Sequence, residues 1–366
     1  MSPSMEGSAL IVEAKAAARH AGLRYASDEQ PGIRRRRSGK GFSYRDEDGK
    51  TIRNPATLKR IRKLAVPPAW TDVWICSLEN GHLQATGRDA RGRKQYRYHA
   101  DFRAIRESGK YDHVLDFAAV LPRIRETVAK HMARRDLGRE RVLATVVHLL
   151  ETTLIRVGNA DYAKQNKSYG LTTLKDPHVK IEGAELRFQF TGKSGKSWRL
   201  KISDRRVAKI VKACQDLPGQ QLFQYLDDDG HRQGVTSSDV NDYLREITDQ
   251  EITAKDFRTW AGTVLAAVAL QEFGEIDSAA EAKRNLRAAI ERVAARLGNT
   301  VTICRKCYVH PEILNGYLAG DLLVNIKKAV DAELSEKLPG LRPEEAVVLA
   351  LLDGRLRAEI ARRNAA

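Results

Sequence analysis

The stretch Leu186-Arg187-Phe188-Gln189-Phe190-Thr191-Gly192-Lys193-Ser194-Gly195-Lys196-Ser197-Trp198-Arg199-Leu200-Lys201-Ile202 reads as two strands and a turn. Leu186, Phe188 and Phe190 alternate with Arg187 and Gln189, and Trp198, Leu200 and Ile202 alternate with Arg199 and Lys201. A period of two places all apolar members on one face of a half-buried strand. Between the runs, Thr191 to Lys196 carries two glycines and two lysines, so the hairpin has a flexible, basic tip. On either side the period changes. Upstream, Val114 to Arg135 and Arg139 to Ile155 repeat apolar residues at three and four, with Gly138 between them. The second of these segments carries Val142, Val146 and Leu149 on one stripe, and Gly158 with Asn159 reads as its stop. Downstream, helices are predicted at Asp204 to Gln215, Ser238 to Ile247, Lys255 to Glu272 and Ala279 to Leu297. Thr253 and Asp256 form a capping pair for the third of these, and an amphipathic helix from Pro343 to Arg362 ends the pattern. A hairpin set among helices indicates a mainly α-helical domain.

The earlier part of the chain differs. Val73 to Ile75 and His82 to Ala85 read as strands around Glu79-Asn80-Gly81, a hairpin signal. The fold class expected is therefore α+β. Residues 1–30 read as a peripheral segment with a short helix at Leu10 to Arg19, 31–110 as a small β-rich domain, and 111–366 as the larger, mainly helical one.

Charge is distributed to match. The 366 residues include 63 Lys and Arg against 47 Asp and Glu, a net charge of +16. An excess of that size points to a polyanion, most commonly nucleic acid. From Arg34 to Lys63 there are twelve basic and three acidic residues, beginning with four arginines at 34–37. From Gly87 to Arg106 there are seven basic and two acidic residues, interleaved with Tyr96 and Tyr98. Glycines admit a phosphate backbone closely, arginines donate in forked pairs to its oxygens, and tyrosines contact sugars or bases. Gly87, Arg88, Asp89, Arg91, Arg93, Lys94, Gln95 and Tyr96 are the candidate DNA-contacting residues of this domain. The longest apolar run, Ala261 to Leu270, is half of a membrane span, so no membrane partner is expected. Four cysteines in so long a chain, and an N-terminus without a secretory signal pattern, suit a cytoplasmic protein that works alongside the chromosome.

Two familiar motifs fail. Gly192-Lys193-Ser194 and Gly195-Lys196-Ser197 look like the end of a nucleotide-binding loop, but the positions that need the leading glycine hold Arg187 and Phe190. Cys304 and Cys307 with His310 look like part of a zinc knuckle, but Cys76 and Cys214 are single and distant. Neither nucleotide nor metal is expected, and no cofactor.

What remains is a set of scattered cations and a tyrosine. Arg156, Lys193, Lys255, Arg258, Asn299 and Tyr308 each have an ordinary reading as surface or packing residues, and spacing alone does not assemble them. Read in order, though, their surroundings resemble the type IB DNA topoisomerases, in the compact poxvirus-like form also found in bacteria. The resemblance runs from Val66 to Pro311, about two thirds of the chain. It is carried by Pro67-Pro68-Ala69-Trp70, Gly87 to His99, Leu154 to Asn159, Tyr169 to Leu174, Phe190 to Lys193, Lys255 to Trp260 and Cys304 to Tyr308. It implies Tyr308 as the nucleophile, Arg156 and Arg258 on the scissile phosphate, Lys193 as general acid and Lys255 as an accessory, DNA-binding lysine. It also implies a β-rich cap and a helical catalytic domain that clamp duplex DNA, acting as a monomer. One departure is Asn299, where the poxvirus enzymes have histidine; an amide can donate a hydrogen bond there but carries no charge.

These residue types suit such chemistry. Attack by a phenol on a phosphodiester builds charge on two non-bridging oxygens, which two guanidiniums absorb without a metal. A lysine supplies the proton that the departing 5′ oxygen needs. One phosphodiester replaces another, so resealing consumes no ATP. The alternatives are a tyrosine recombinase, which typically carries His-x-x-Arg where this chain has Lys255-Asp256-Phe257-Arg258, and a non-catalytic DNA-binding protein.

Overall fold

In the computed structural model, which describes residues 14–39, 41–90, 92–274, 276–320, 322 and 340–364, the chain divides into two compact units, Met1–Asp112 and His113–Ala366. Residues 14–20 form α1; the first part of the helix expected from Leu10 lies outside the described residues. Then β1 (Ile33–Ser38), β2 (Gly41–Arg45), β3 (Thr71–Ile75), β4 (Leu83–Arg88) and β5 (Lys94–Tyr98) build one antiparallel sheet in the order β2-β1-β3-β4-β5. The arginine run occupies β1. Three of its four arginines are exposed, while Arg35 donates to the carbonyls of Val66, Pro67 and Trp70 at 3.2, 3.1 and 2.6 Å.

This sheet has an apolar cluster on each face. On one, Ile33, Val73, Ile75 and Ala85 pack with Ile61 of α2 (Pro55–Lys63), a helix started by the Asn54 side chain accepting from the Thr57 N–H at 3.0 Å. On the other, Trp74, Cys76 and Leu83 pack with Ala26. Residues 24–30, expected to be peripheral, are thus part of the unit. The Arg24 N–H donates to the Asn80 carbonyl at 2.9 Å, the His82 N–H to the Arg24 carbonyl at 2.8 Å, and the Trp74 indole to the Gln30 carbonyl at 3.0 Å. This segment joins mainly through backbone groups, which leave no apolar pattern to read. The strands end at Tyr98, and α3 (Ala100–Met132) begins just past β5, its first turns belonging to this unit, which ends at Asp112, near the boundary expected at 110.

The second unit is mainly helical. It holds α4 (Arg139–Thr153), α5 (Ala160–Asn166), α6 (Arg205–Gln215), α7 (Ser237–Thr248), α8 (Ala254–Gln271), α9 (Ala279–Leu297), α10 (Val301–Cys307), α11 (Pro311–Leu318) and α12 (Pro343–Asn364). Within it, β6 (Val179–Glu182), β7 (Glu185–Thr191) and β8 (Ser197–Ser203) make a three-stranded sheet, and β9 (Gln224–Leu226) with β10 (Arg232–Gly234) a small hairpin. The β7–β8 register pairs Leu186 with Ile202, Phe188 with Leu200 and Phe190 with Trp198. Leu186, Phe188 and Phe190 are buried and Arg187, Gln189, Arg199 and Lys201 exposed, as the alternation predicts.

The run Ala261 to Leu270 lies in α8, which packs against α4, α7, α9, α11 and α12. Its apolar character is that of a helix surrounded by other helices. Among the described residues, no helix is long and apolar enough to cross a membrane. The box predicted at its start is present: Thr253 donates through N–H and hydroxyl to Asp256, both at 2.8 Å.

Candidate active site

Arg156 is held by its backbone before its side chain is used. The expected stop at Gly158-Asn159 is not where α4 ends. The helix ends at Leu154, a residue in the left-handed region (φ 59°) whose side chain is buried. Gly158 (φ 110°) serves a different purpose: it crosses Gly170 so closely that a Cβ on Gly170 would fall 2.6 Å from the Gly158 Cα. Asn159 caps α5, accepting from the Tyr162 N–H at 2.8 Å. The crossing lets the Leu171 N–H donate to the Arg156 carbonyl at 2.9 Å and the Thr172 N–H to the Val157 carbonyl at 2.7 Å. Arg156 therefore projects from a strap pinned at its own carbonyl and at that of Val157.

Its guanidinium reaches the end of α9, 143 residues along the chain. There Gly298 (φ 63°) closes the helix in the left-handed conformation that favours glycine. Arg156 donates to the Asn299 side-chain oxygen and to the Gly298 carbonyl, the latter at 3.3 Å. Arg258 arrives from the first turns of α8, is 3% exposed, and donates to the Leu154 carbonyl and, at 2.7 Å, to the Leu297 carbonyl. The ends of α4 and α9 are thus tied to each other through two arginines.

Tyr308 completes the group. It follows α10, a short helix that the sequence reading did not anticipate, started by the Thr300 hydroxyl accepting from the Ile303 N–H at 3.3 Å. Behind it stands Gly262 of α8, where a Cβ would fall 2.3 Å from the Tyr308 carbonyl oxygen. A glycine inside a helix costs about 1 kcal/mol relative to alanine, and this close approach is its reason. The next residue, Thr263, accepts the His310 N–H on its hydroxyl at 3.1 Å, so α8 fixes the backbone at the tyrosine and just past it. The Arg258 guanidinium carbon lies 5.0 Å from the Tyr308 ring centroid.

The electrostatics of the group are unusual. Burial pushes the Arg258 pKa down to about 10, with the charge of Arg156 acting in the same direction and Tyr308 against it. Burial also lowers that of Arg156, with Tyr308 again opposing. At neutral pH Arg258 remains protonated. Among the described residues neither guanidinium has a carboxylate partner; their neighbours are carbonyls, an amide and a phenol. The Arg258 Nε and the Asn299 side-chain nitrogen are buried without an acceptor. A buried donor left unmet costs about 1–3 kcal/mol, and an anion's oxygen at this place would satisfy it.

The two candidate lysines are placed differently. Lys193 sits at the exposed tip between β7 and β8, its ammonium 5.9 Å from the Tyr162 ring centroid on α5. Lys255 is exposed in the first turn of α8, one turn before Arg258. The structure thus brings Arg156, Arg258, Asn299 and Tyr308 together, sets Lys193 by the adjoining α5, and leaves Lys255 in solvent.

In the first unit, the Gly87 to Tyr96 candidates separate into two kinds. Gly87 is buried, and a Cβ there would fall 2.9 Å from the Trp70 ring, so it is a packing glycine. Asp89 organises the β4–β5 turn, accepting from the Arg93 N–H at 3.0 Å, its guanidinium at 2.8 Å and the Gln95 amide at 3.0 Å. The outward groups are Arg88, Arg93, Lys94 and Tyr96, which is 46% exposed and stacked on Tyr98 at 6.0 Å. Arg91 lies outside the described residues.

Cys304 is fully buried, and burial pushes its thiol up to about 11. Among the described residues, one grouping has metal-ligand spacing: Asp227, Asp229 and His231, on the β9–β10 turn, which shares nothing with the cluster around Tyr308.

Sequence comparison places these features in a family. Residues 99–338 match the family described as eukaryotic DNA topoisomerase I, catalytic core, and residues 41–89 match bacterial DNA topoisomerase IB, N-terminal domain. The chain is similar to DNA topoisomerase 1B of Acanthamoeba polyphaga mimivirus, at 33% identity over 76% of this chain and 85% of that protein. It is also similar to DNA topoisomerase 1B of vaccinia virus (strain Copenhagen), at 27% identity over 71% and 82%. The XerH site-specific recombinase bound to its difH substrate superimposes on 52% of this chain and 48% of its own with a TM-score of 0.33 and 14% identity, too loosely to carry an argument.

Proposed function

The chain belongs to the type IB DNA topoisomerases, and from that premise we propose that Tyr308 breaks and rejoins one strand of duplex DNA with Arg156, Arg258, Asn299 and Lys193 as its partners. The enzyme relaxes supercoiled DNA by transient single-strand cleavage and religation. In the cleavage step the Tyr308 phenol gives up its proton to solvent as its oxygen attacks the scissile phosphorus, the bond to the 5′ oxygen breaks, and Lys193 gives that oxygen its proton. The product is a phosphotyrosyl ester at the 3′ end and a free 5′ hydroxyl, which reverses the step after the strand has rotated.

The observation that carries this assignment is the convergence of two guanidiniums, that of Arg258 buried and that of Arg156 half-buried, on one tyrosine, with no carboxylate partner among the described residues. Charge develops on the non-bridging oxygens as the phenol attacks, and preorganised cations stabilise it most when water is excluded. Asn299 keeps its side-chain oxygen on Arg156 and has its nitrogen open, which suits a neutral hydrogen bond to a non-bridging oxygen. The guanidiniums supply the charge that a metal would otherwise provide, and transesterification conserves the phosphodiester, so the reaction runs without metal or ATP. Arg88, Arg93, Lys94 and Tyr96 contact the duplex through phosphate and sugar, Lys255 adds a contact near the site, and the two units of a monomer clamp the DNA in the cytoplasm.

The test is plasmid relaxation in EDTA without ATP, with the covalent adduct trapped by denaturant and the modified peptide sequenced. The expected result is relaxation with DNA attached to Tyr308. Attachment at another residue, or a strict metal requirement, contradicts the assignment.

A further inference from the structure

The β7–β8 hairpin carries Lys193 at its tip, and the placement of that tip rests on Trp198. Trp198 is half-buried on β8, opposite Phe190, and the two rings stack at 6.0 Å with planes 2° apart. The indole then extends past the sheet in two directions. A Cβ on Gly192 would fall 2.7 Å from its Cδ1 and Nε1, and a Cβ on Gly298 would fall 2.7 Å from its Cζ2. The pyrrole edge therefore abuts the residue before Lys193, and the benzo edge abuts the residue before Asn299. Gly298 also gives its carbonyl to Arg156 at 3.3 Å. One ring thus spans from the general acid's hairpin to the group that holds the phosphate.

We infer that Trp198 is a positioning residue that sets where Lys193 stands relative to the scissile phosphate. The tip is internally closed. The Gly192 N–H donates to the Lys196 carbonyl at 2.8 Å and the Gly195 N–H to the Gly192 carbonyl at 3.1 Å, with Ser194 (φ 64°) and Gly195 (φ 76°) making the bend. A tip built this way moves as a unit, and its position depends on what its base rests upon. Past the strands, that base is Gly192 on the indole. Any side chain at 192 or 298 would lift the ring off one neighbour or the other, which explains a glycine at both places. Removing the ring leaves the charges of Arg156 and Arg258 and the amide of Asn299 in place and frees the acid alone. A proton donor displaced by about 1 Å loses on the order of 100-fold, and general acid catalysis as a whole supplies about 10²–10⁴-fold.

This inference rests on the reading of Lys193 as the acid, and a leaving group that needs no acid separates the two. Single-turnover cleavage is measured on duplex DNA with either the normal 5′ oxygen or a 5′ bridging sulfur at the scissile position, using wild type, Lys193→Ala, Trp198→Ala and Trp198→Phe. With oxygen, Trp198→Ala should cleave on the order of 10–100-fold more slowly at saturating enzyme, with DNA affinity within about 2-fold. With sulfur, both Lys193→Ala and Trp198→Ala should recover most of the lost rate. Trp198→Phe keeps the contact with Phe190 but not the reach to Gly298, and should fall between. If Lys193→Ala is rescued by sulfur while Trp198→Ala or Trp198→Phe slows both substrates equally, the positioning role is overturned and the acid role stands. If neither Trp198 variant slows the oxygen substrate, the positioning role is likewise overturned. If sulfur does not rescue Lys193→Ala, the acid role falls, and the inference with it. Trp198→Phe keeps an aromatic ring in the sheet and serves as the test should Trp198→Ala fail to fold.

Discussion

The arginines of the β4–β5 hairpin and those around Tyr308 are one residue type held under opposite conditions. In the hairpin each outward cation has a carboxylate nearby: Arg93 with Asp89 at 2.7 Å, Lys94 with Asp28 at 2.7 Å, and Arg88 with Asp72 at 3.7 Å. Their side chains are between 43% and 54% exposed, so water and salt screen them. Around Tyr308, Arg156 and Arg258 are withdrawn from water and given carbonyls, an amide and a phenol in place of an anion. The contrast is not simply one of depth. Arg125 in the same unit, with its side chain 20% exposed, meets both Glu151 at 2.7 Å and Glu345 at 2.8 Å. A buried cation is normally matched with a counterion because desolvation is costly. Two left unmatched side by side mark the place where an anion is the substrate, whereas the hairpin's cations can exchange a carboxylate for a phosphate one at a time.

The largest expected effect lies at the centre of the second arrangement. Tyr308→Phe should leave DNA affinity within about 2-fold and abolish both relaxation and the covalent adduct, checked by filter binding and adduct trapping on one preparation. Relaxation by the pure variant would remove the tyrosine from the mechanism. Next come Arg156→Ala and Arg258→Ala, each expected to slow single-turnover cleavage by about 10²–10³-fold, the range for one lost transition-state donor. Replacing Arg258 by lysine should restore little, because an ammonium cannot reach the Leu154 and Leu297 carbonyls and the phosphate together.

The two regions also differ in how far sequence could reveal them. The hairpin's cations are contiguous, so composition along a short window was sufficient to mark it. Its internal structure was not visible there: Asp89, read as a DNA contact, is the acceptor that shapes the turn, and Gly87 is a packing glycine. The helices of the second unit and the β7–β8 hairpin followed from periodicity because their faces are cleanly divided. Strands β6, β9 and β10 and helices α2, α5, α10 and α11 did not, being too short for a period to build up. The cluster itself draws on segments as much as 152 residues apart, from Arg156 to Tyr308, and each residue in isolation resembles an ordinary surface or packing group. Only the ordered likeness to a family grouped Arg156, Arg258, Asn299 and Tyr308. What positions them, Gly262 behind Tyr308 and the Gly158–Gly170 crossing beneath Arg156, is a property of close backbone approach, which no sequence period encodes.

The hairpin should respond in proportion to its looser bonding. Arg88→Ala and Lys94→Ala should each weaken DNA binding by a few-fold, equally for all sequences. Each should also reduce the slope of log affinity against log salt by about 1. Cleavage within the saturated complex should be unchanged. A large loss of cleavage rate with unchanged affinity in either variant would erase the distinction between binding and catalytic arginines.

The smallest effect concerns protons. His113 on α3 has its Nε2 3.6 Å from Asp256, the residue that caps α8 ahead of Arg258, and its Nδ1 3.8 Å from Asp116. The hydrogen bond to Asp256, with the charges of Asp256 and Asp116 and the Glu251 backbone, outweighs burial and raises the His113 pKa above its ordinary value. A raised value in the folded state means that the folded protein binds this proton more tightly than the unfolded chain. The stabilisation is therefore fully present below about pH 6.5, the unfolded value, and is lost as pH rises through the folded value. The Lys94–Asp28 pair offers the control, since the lysine is shifted up and the carboxylate down, both away from neutrality. Between about pH 6 and 8.5, wild type should lose some 1–2 °C of melting temperature that His113→Gln does not lose, a partly exposed pair contributing well under 1 kcal/mol. Lys94→Met should leave the pH profile over this range parallel to that of wild type. Identical profiles for wild type and His113→Gln would show that the α8 cap is held by Thr253 and Asp256 alone.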